Sequence, residues 1–141
     1  MSPALAVATA VTFTWLGMVL AISFLEAPLK FGAPGVTVRI GLGIGRRVFR
    51  ALNAVETVLA AALLGASLLG AAPGSVRLAV GSVVVVLAVQ LLGVRPGLNR
   101  RSDQILAGGE VPRSRGHLTY VVLEAAKVVA LVVTGVLLVS A

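Results

Sequence analysis

Three glutamates of this chain lie in or at the end of long apolar stretches, where a carboxylate needs a partner or a task. Glu26 closes an uncharged run that begins before Leu5, and Glu56 and Glu124 lie among mostly apolar residues. A charged side chain at the middle of a bilayer costs about 2.5–3.5 kcal/mol on insertion scales. A carboxylate kept there can accept a proton or a cation, or serve as an acid or base toward a bound molecule.

Each glutamate shares a helical face with other polar residues. Residues three, four or seven positions apart fall on one side of a helix, so these sets form stripes. Stripes that faced lipid would be costly, and we therefore predict that they converge on one polar pocket. The stripes are Ser23, Glu26 and Lys30; Arg46, Arg50, Asn53 and Glu56; and His117, Tyr120, Glu124 and Lys127, with Gln90 and Arg95 near the end of a further apolar run. The candidate ligand-binding residues are Glu26, Asn53, Glu56, Gln90, His117, Tyr120, Glu124 and Lys127.

Four apolar runs are long enough to carry these stripes across a membrane. A helix needs about 20 residues to cross the hydrocarbon layer, and the chain is 58% hydrophobic and only 12% charged. The first run lacks a basic segment before it and a cleavage site, so we interpret it as a span rather than a signal peptide. The prediction is an all-α fold, an integral membrane four-helix bundle in a single transmembrane domain over 1–141, with spans at about 5–27, 48–70, 76–94 and 118–139.

The basic residues predict the orientation of the bundle. Of the twelve lysines and arginines, all but Arg77 and Lys127 lie in or beside the segments that join the first span to the second and the third to the fourth. By the positive-inside rule both segments are cytoplasmic, so both termini are outside (N-out/C-out) in the inner (plasma) membrane. The first segment is apolar and rich in Gly and Pro, and is predicted to lie along the membrane interface. The second, from Arg95 to Gly116, is predicted to be a hydrophilic loop.

Several kinds of chemistry are excluded or disfavoured by composition. The chain has no cysteine and one histidine, which leaves no disulfide, thiolate nucleophile, zinc site or catalytic triad. The Glu-x-x-His motif of di-iron bundles is absent, and no metal is predicted. The GLGIG sequence at 41–45 has no following Lys-Ser/Thr, so it is interpreted as flexible helix-forming sequence rather than a phosphate loop. The basic residues are explained by the membrane rather than by nucleic acid, and no cofactor is indicated.

Four short sequences also resemble a known family. They are FLEAPLKF after the first span, GRRVFRALNAVE at the second, RPGLNRRSDQI after the third and RGHLTYVVLEAAKV at the fourth. In this order they resemble small four-helix bacterial membrane proteins of unknown function, distantly similar to a eukaryotic transmembrane protein associated with cisplatin resistance. The resemblance implies the four-helix fold and no established activity. The positions that match its pattern are Ala27, Pro28, Phe31, Gly45, Phe49 and His117.

Three functions stay open at this stage. The leading hypothesis is a small-molecule or ion binding or transport protein, functioning as a homodimer, whose site is a cytoplasm-facing polar pocket. The alternative is a membrane-embedded acid/base enzyme acting on a lipid or isoprenoid, with Glu26, Glu56 and Glu124 as its catalytic groups. The third is a structural or accessory subunit of a membrane complex. Pro28 is expected to end or kink the first helix, and Trp15 to be a packing or interfacial aromatic.

Overall fold

A computed structural model describes residues 1–108 and 116–141 of the chain. Within those residues there are four long helices and no strand: α1 (Pro3–Lys30), α2 (Val38–Leu69), α3 (Gly74–Leu106) and α4 (Gly116–Ser140). Each of the four is long and apolar enough to cross a membrane. The predicted all-helical architecture is therefore confirmed.

The helices form an antiparallel ring in which each lies beside the next along the chain and α4 closes back onto α1. Half of the bundle has a mostly apolar core, made by small and branched residues such as Ala8, Leu63, Val80 and Leu131. At the other end the last turns of α1 and α3 meet the first turns of α2 and α4. This end is called the basic end here because Lys30, Arg39, Arg46, Arg95 and Arg101 lie on it.

Two of the helices extend further at the basic end than the sequence indicated. Helix α2 begins at Val38, where the Thr37 side chain accepts a hydrogen bond from the Ile40 amide at 3.2 Å. The segment Arg95–Leu106, expected to be part of a loop, is helical and continues α3. These extensions support each other, because Arg46 pairs with Asp103 and Arg39 donates to the carbonyl of Leu106 at 2.7 Å. The last carbonyls of a helix are electronegative and otherwise lack partners, so they favour a cation there.

Helices α1 and α3 share a local irregularity that precedes a proline. Leu20–Glu26 of α1 and Gln90–Val94 of α3 are π-helical, and in each case the proline, Pro28 or Pro96, comes two residues later. A proline ring clashes with the carbonyl four residues before it, and a wider turn relieves that clash. Helix α1 thus continues through Pro28 to Lys30. The π-helical segments also carry Ser23 and Gln90, two side chains of the site described below.

The glycines of the GLGIG sequence allow the end of α1 to lie close against α2. A β-carbon on Gly41 would overlap the Phe31 ring, and one on Gly45 would come within 2.8 Å of Lys30 Nζ. Gly43, on another side of the helix, has nothing within 4 Å of that position. The two glycines at four-residue spacing are therefore packing positions, as small residues often are between membrane helices.

This difference predicts opposite outcomes for two alanine substitutions. We expect Gly41→Ala to lower the free energy of unfolding by about 1–3 kcal/mol, because the added methyl overlaps the Phe31 ring. Gly43→Ala should leave it unchanged or raise it by up to about 1 kcal/mol, because alanine is the better helix former. Unfolding in mixed micelles followed by circular dichroism measures both. Equal effects of the two variants would contradict the packing role given to Gly41.

Candidate functional site

The centre of the site is the ammonium group of Lys127, which lies fully buried on α4. Its Nζ contacts Glu56 Oε2 of α2, Glu124 Oε1 at 2.6 Å, and Gln90 Oε1 of α3 at 2.8 Å. These three acceptors match the three protons of an ammonium group. Gln90 also donates from Nε2 to Glu124 Oε1 at 3.3 Å. The buried ammonium group of Lys127 thus links α2, α3 and α4.

Helix α1 joins this network through two side chains at different depths. The indole Nε1 of Trp15, a fully buried residue, donates to Glu56 Oε2 at 2.8 Å. Nearer the basic end, Ser23 Oγ donates to Glu124 Oε2 at 2.8 Å. Trp15, Ser23, Glu56, Gln90, Glu124 and Lys127 are called the polar network below, and all four helices contribute to it.

The polar network carries more negative than positive charge. It contains two carboxylates and one ammonium, so its formal charge is −1 when all three are ionised. Glu56 Oε1 makes no hydrogen bond within the described part of the chain. A single proton would neutralise the network.

The polar network does not continue into the apolar half of the bundle. Beyond Trp15 and Glu56 the buried residues are mostly apolar, and the hydroxyls of Thr12 and Thr134 donate to carbonyls of their own helices, at 2.8 and 2.7 Å. Ser67 is a further buried hydroxyl on α2. The buried polar side chains are therefore concentrated between the middle of the bundle and the basic end.

A cavity of about 230 Å³ lies between the polar network and the basic end. Its walls are largely apolar and come from all four helices, with Phe24, Phe49, Leu98 and Val121 among them. Glu124 and Ser23 line the cavity as well as belonging to the polar network. Glu124 is thus the point where the cavity meets the buried charges.

The rim of the cavity is basic. It is lined by Lys30, Arg46, Arg95, Arg101 and His117. The guanidinium of Arg95 lies over two rings, with its carbon 4.3 Å from the centroid of Tyr120 and 5.1 Å from that of Phe49, and stacking of this kind holds an arginine in place. Arg95 also lines a smaller, adjoining cavity of about 140 Å³, together with Arg46, Phe49, Arg50, Asn53 and Asn99.

The eight candidate residues fall into distinct places. Glu56, Gln90, Glu124 and Lys127 come together in the polar network. His117 and Tyr120 line the main cavity with Glu124, and Asn53 lines the adjoining one. Glu26 lies apart from them: its side chain is 38% exposed and faces Lys30 of the next turn at 3.6 Å.

Trp15, Ser23 and Arg95 make contacts that define the site but were not among the eight candidate residues inferred from sequence. Trp15, expected to be a packing or interfacial aromatic, donates to a buried carboxylate. Its indole N–H was the available signal, since such a group finds a partner when it is buried. Ser23 and Arg95 belong to the polar stripes, but nothing in the sequence context of Arg95 indicated that it would stack on Phe49 and Tyr120.

The donor set does not suggest a metal centre. Among residues 1–108 and 116–141, no three His, Asp or Glu side chains are grouped so as to hold a metal ion. Comparison with known proteins adds no assignment: no family model matches the chain, and neither a curated protein nor a solved structure does. The resemblance noted from the four short sequences therefore stays an expectation.

Proposed function

We propose that this chain is a multi-pass protein of the inner (plasma) membrane, with both termini outside, that binds a small molecule in the cavity at its basic end. The observation that carries the proposal is the position of Glu124, which lines the cavity and also contacts the fully buried Lys127 at 2.6 Å. The basic end faces the cytoplasm in this proposal because cytoplasmic segments of membrane proteins are enriched in Lys and Arg.

The energetics of the polar network favour a role beyond stability. A buried ion pair is weak evidence for stability, because apolar residues of similar size often serve the fold as well or better. Here one of the buried charges, Glu124, also lines a cavity, and intramembrane ionisable residues are by default candidates for a functional site. This supports a role of the buried charges in ligand binding over a purely structural role in holding the helices together.

Binding is favoured over the two other activities considered. Transport needs access from both sides, whereas the residues beyond Trp15 and Glu56 are mostly apolar. Acid/base catalysis needs a carboxylate that can exchange a proton with the bound molecule. Both oxygens of Glu124 already accept hydrogen bonds, from Ser23 on one side and from Gln90 and Lys127 on the other, which favours a fixed wall of the cavity.

Native mass spectrometry of the protein released from a mild detergent, with metal analysis of the same sample, tests the proposal. We expect a stoichiometric small-molecule adduct on the wild type that is lost in Val121→Trp, because Val121 lines the cavity and a large ring there fills it. Val122→Trp is the matched control, since Val122 is 59% exposed on the outer face of the same helix. The same spectra report whether the protein is a dimer.

A wild-type mass without any adduct would contradict the binding proposal. It would instead favour an accessory subunit, in which the extended basic end is a docking surface and the polar network holds the helices together. An adduct retained equally by Val121→Trp and Val122→Trp would also contradict it, because the molecule would then lie outside the cavity.

A further inference from the structure

The cavity combines two kinds of surface that a single class of molecule would match. Part of its lining is apolar and includes Phe24, Phe49, Leu98 and Val121. Several cationic side chains line it as well. Cations concentrated beside an apolar wall fit a molecule that has an anionic head and an apolar remainder, because each part then meets a surface of matching polarity.

Not all of the cations around the cavity are available to such a head group. Lys30 faces Glu26, and Arg46 is paired with Asp103. Arg95 and Arg101 have no ion pair within residues 1–108 and 116–141. Both line the cavity, and both come from the polar extension of α3.

The nitrogen atoms of Arg95 indicate more about the head group than those of Arg101 do. Its Nε and Nη2 are buried yet make no hydrogen bond within the described residues, and the same holds for Nε of Arg101. Buried polar atoms normally have a partner, and leaving one unmet is costly. Nε and one terminal nitrogen are also a pair of donors that a carboxylate or phosphate can engage together. Stacking on Tyr120 and Phe49 keeps these donors in place.

Two apolar residues of the cavity wall are also partly exposed. Phe24 on α1 and Val121 on α4 line the cavity and are 41% and 38% exposed. At about 230 Å³ the cavity is smaller than the roughly 300–1,000 Å³ typical of sites for drug-sized ligands. It can hold a head group and the first part of a chain, with the rest of the chain leaving between α1 and α4.

We propose that the ligand is an anionic amphiphile, whose carboxylate or phosphomonoester head binds Arg95 with Arg101 beside it, and whose single apolar chain follows Phe24 and Val121 to the lipid. This rests on the proposed function and specifies the ligand class of the same cavity. The paired donors of Arg95 select the charge of the head, and the apolar walls select a molecule that already resides in the membrane.

A competition assay with tritiated palmitate, on protein purified in dodecyl maltoside, tests this. We expect unlabelled palmitate and 1-palmitoyl lysophosphatidic acid to displace the label, and the stronger competitor identifies the head group. Methyl palmitate, which keeps the chain without the charge, and inorganic phosphate, which keeps a charge without the chain, should each be at least about tenfold weaker.

Arginine substitutions locate the head group. Arg95→Gln should weaken palmitate binding by about tenfold or more, and Arg101→Gln by a smaller factor. Arg100→Gln is the matched control, because Arg100 is exposed on the same helix and does not line the cavity. Gel filtration of each variant reports its folded state, and Arg101→Gln keeps the test decisive if Arg95→Gln fails to fold.

The inference would be overturned if methyl palmitate bound as tightly as palmitate, or if inorganic phosphate alone competed as strongly as palmitate. It would also be overturned if Arg95→Gln and Arg101→Gln both bound palmitate like the wild type. If palmitate does not bind while an adduct persists in native mass spectra, the ligand class is wrong and the proposed function stands. If no adduct is found either, both proposals fail.

Discussion

Replacing Lys127 by methionine is expected to lower the free energy of unfolding by about 3–5 kcal/mol, the range found when one partner of a buried ion pair is removed. Methionine keeps most of the side-chain volume but removes the charge. Glu56 and Glu124, which both contact the ammonium group of Lys127, would then be left as neighbouring buried carboxylates without a cation. Unfolding in mixed micelles, followed by circular dichroism, measures the loss.

The charge balance of the polar network predicts how this loss can be reversed. Glu56→Gln or Glu124→Gln alone should cost only about 1 kcal/mol, because each exchanges a charged hydrogen bond for a neutral one. The triple variant, which combines both glutamine substitutions with Lys127→Met, should recover most of the stability lost in Lys127→Met alone. Glu26→Gln is the control outside the network and should change stability by less than about 1 kcal/mol, since the Glu26 side chain is 38% exposed. A mild Lys127→Met variant, below about 1 kcal/mol, would contradict the central role of this cation.

Replacing Trp15 by phenylalanine is expected to have the next largest effect, a loss of about 2–4 kcal/mol. The substitution removes the 2.8 Å hydrogen bond from the indole Nε1 to Glu56 Oε2, and it leaves a small void at a position that is fully buried. Circular dichroism is again the appropriate signal, because Trp15 is the chain's one tryptophan and fluorescence is lost with it.

A double-mutant cycle separates the hydrogen bond from the void. Trp15→Phe should cost about 1–2 kcal/mol less in a Glu56→Gln background than in the wild type, because the bond to a charged acceptor is already weakened there. The loss of volume is the same in both backgrounds and cancels. Strict additivity, with a coupling energy below about 0.5 kcal/mol, would show that Trp15 contributes by packing alone.

Spacing along a helix was sufficient to anticipate some of the contacts in the polar network. Glu124 and Lys127 lie three residues apart in regular helix, and they face the same interior and contact each other at 2.6 Å. Glu56 and Gln90 could be expected to join them because a polar side chain avoids lipid. Which indole or amide each carboxylate would meet depends on how the helices are rotated about their axes, and that is set by packing of the whole bundle.

Helical spacing failed where the helix is not an α-helix. Ser23 and Glu26 share a face at 3.6 residues per turn, but they lie in the π-helical segment Leu20–Glu26, where hydrogen bonds span five residues and each turn takes more of them. Ser23 therefore meets Glu124, while Glu26 turns towards Lys30. Pro28 was the available signal, and it was interpreted as a kink or an end of the helix.

The helical extensions at the basic end were missed for a related reason. Val38 to Arg47 contains three glycines, and Arg95–Leu106 is polar, so neither segment resembles a membrane span. Both are helical because they meet each other: Arg39 and Arg46 of α2 bind Leu106 and Asp103 of α3. Contacts between segments that are distant along the chain do not appear in the local pattern. These extensions also bring Arg95 and Arg101 to the cavity.

The most direct test of the account is the labelling of a single cysteine placed in the cavity, which is practicable because the natural chain contains none. Ser102 lines the cavity, and Ser75 lies exposed at the opposite end of the bundle. We predict that a membrane-impermeant maleimide labels Ser102→Cys in inverted vesicles but not in right-side-out ones, that palmitate slows this labelling, and that Ser75→Cys shows the reverse sidedness with no effect of palmitate. Labelling of Ser102→Cys from the outside only, or at a rate that palmitate leaves unchanged, would contradict a cytoplasm-facing site for an anionic amphiphile.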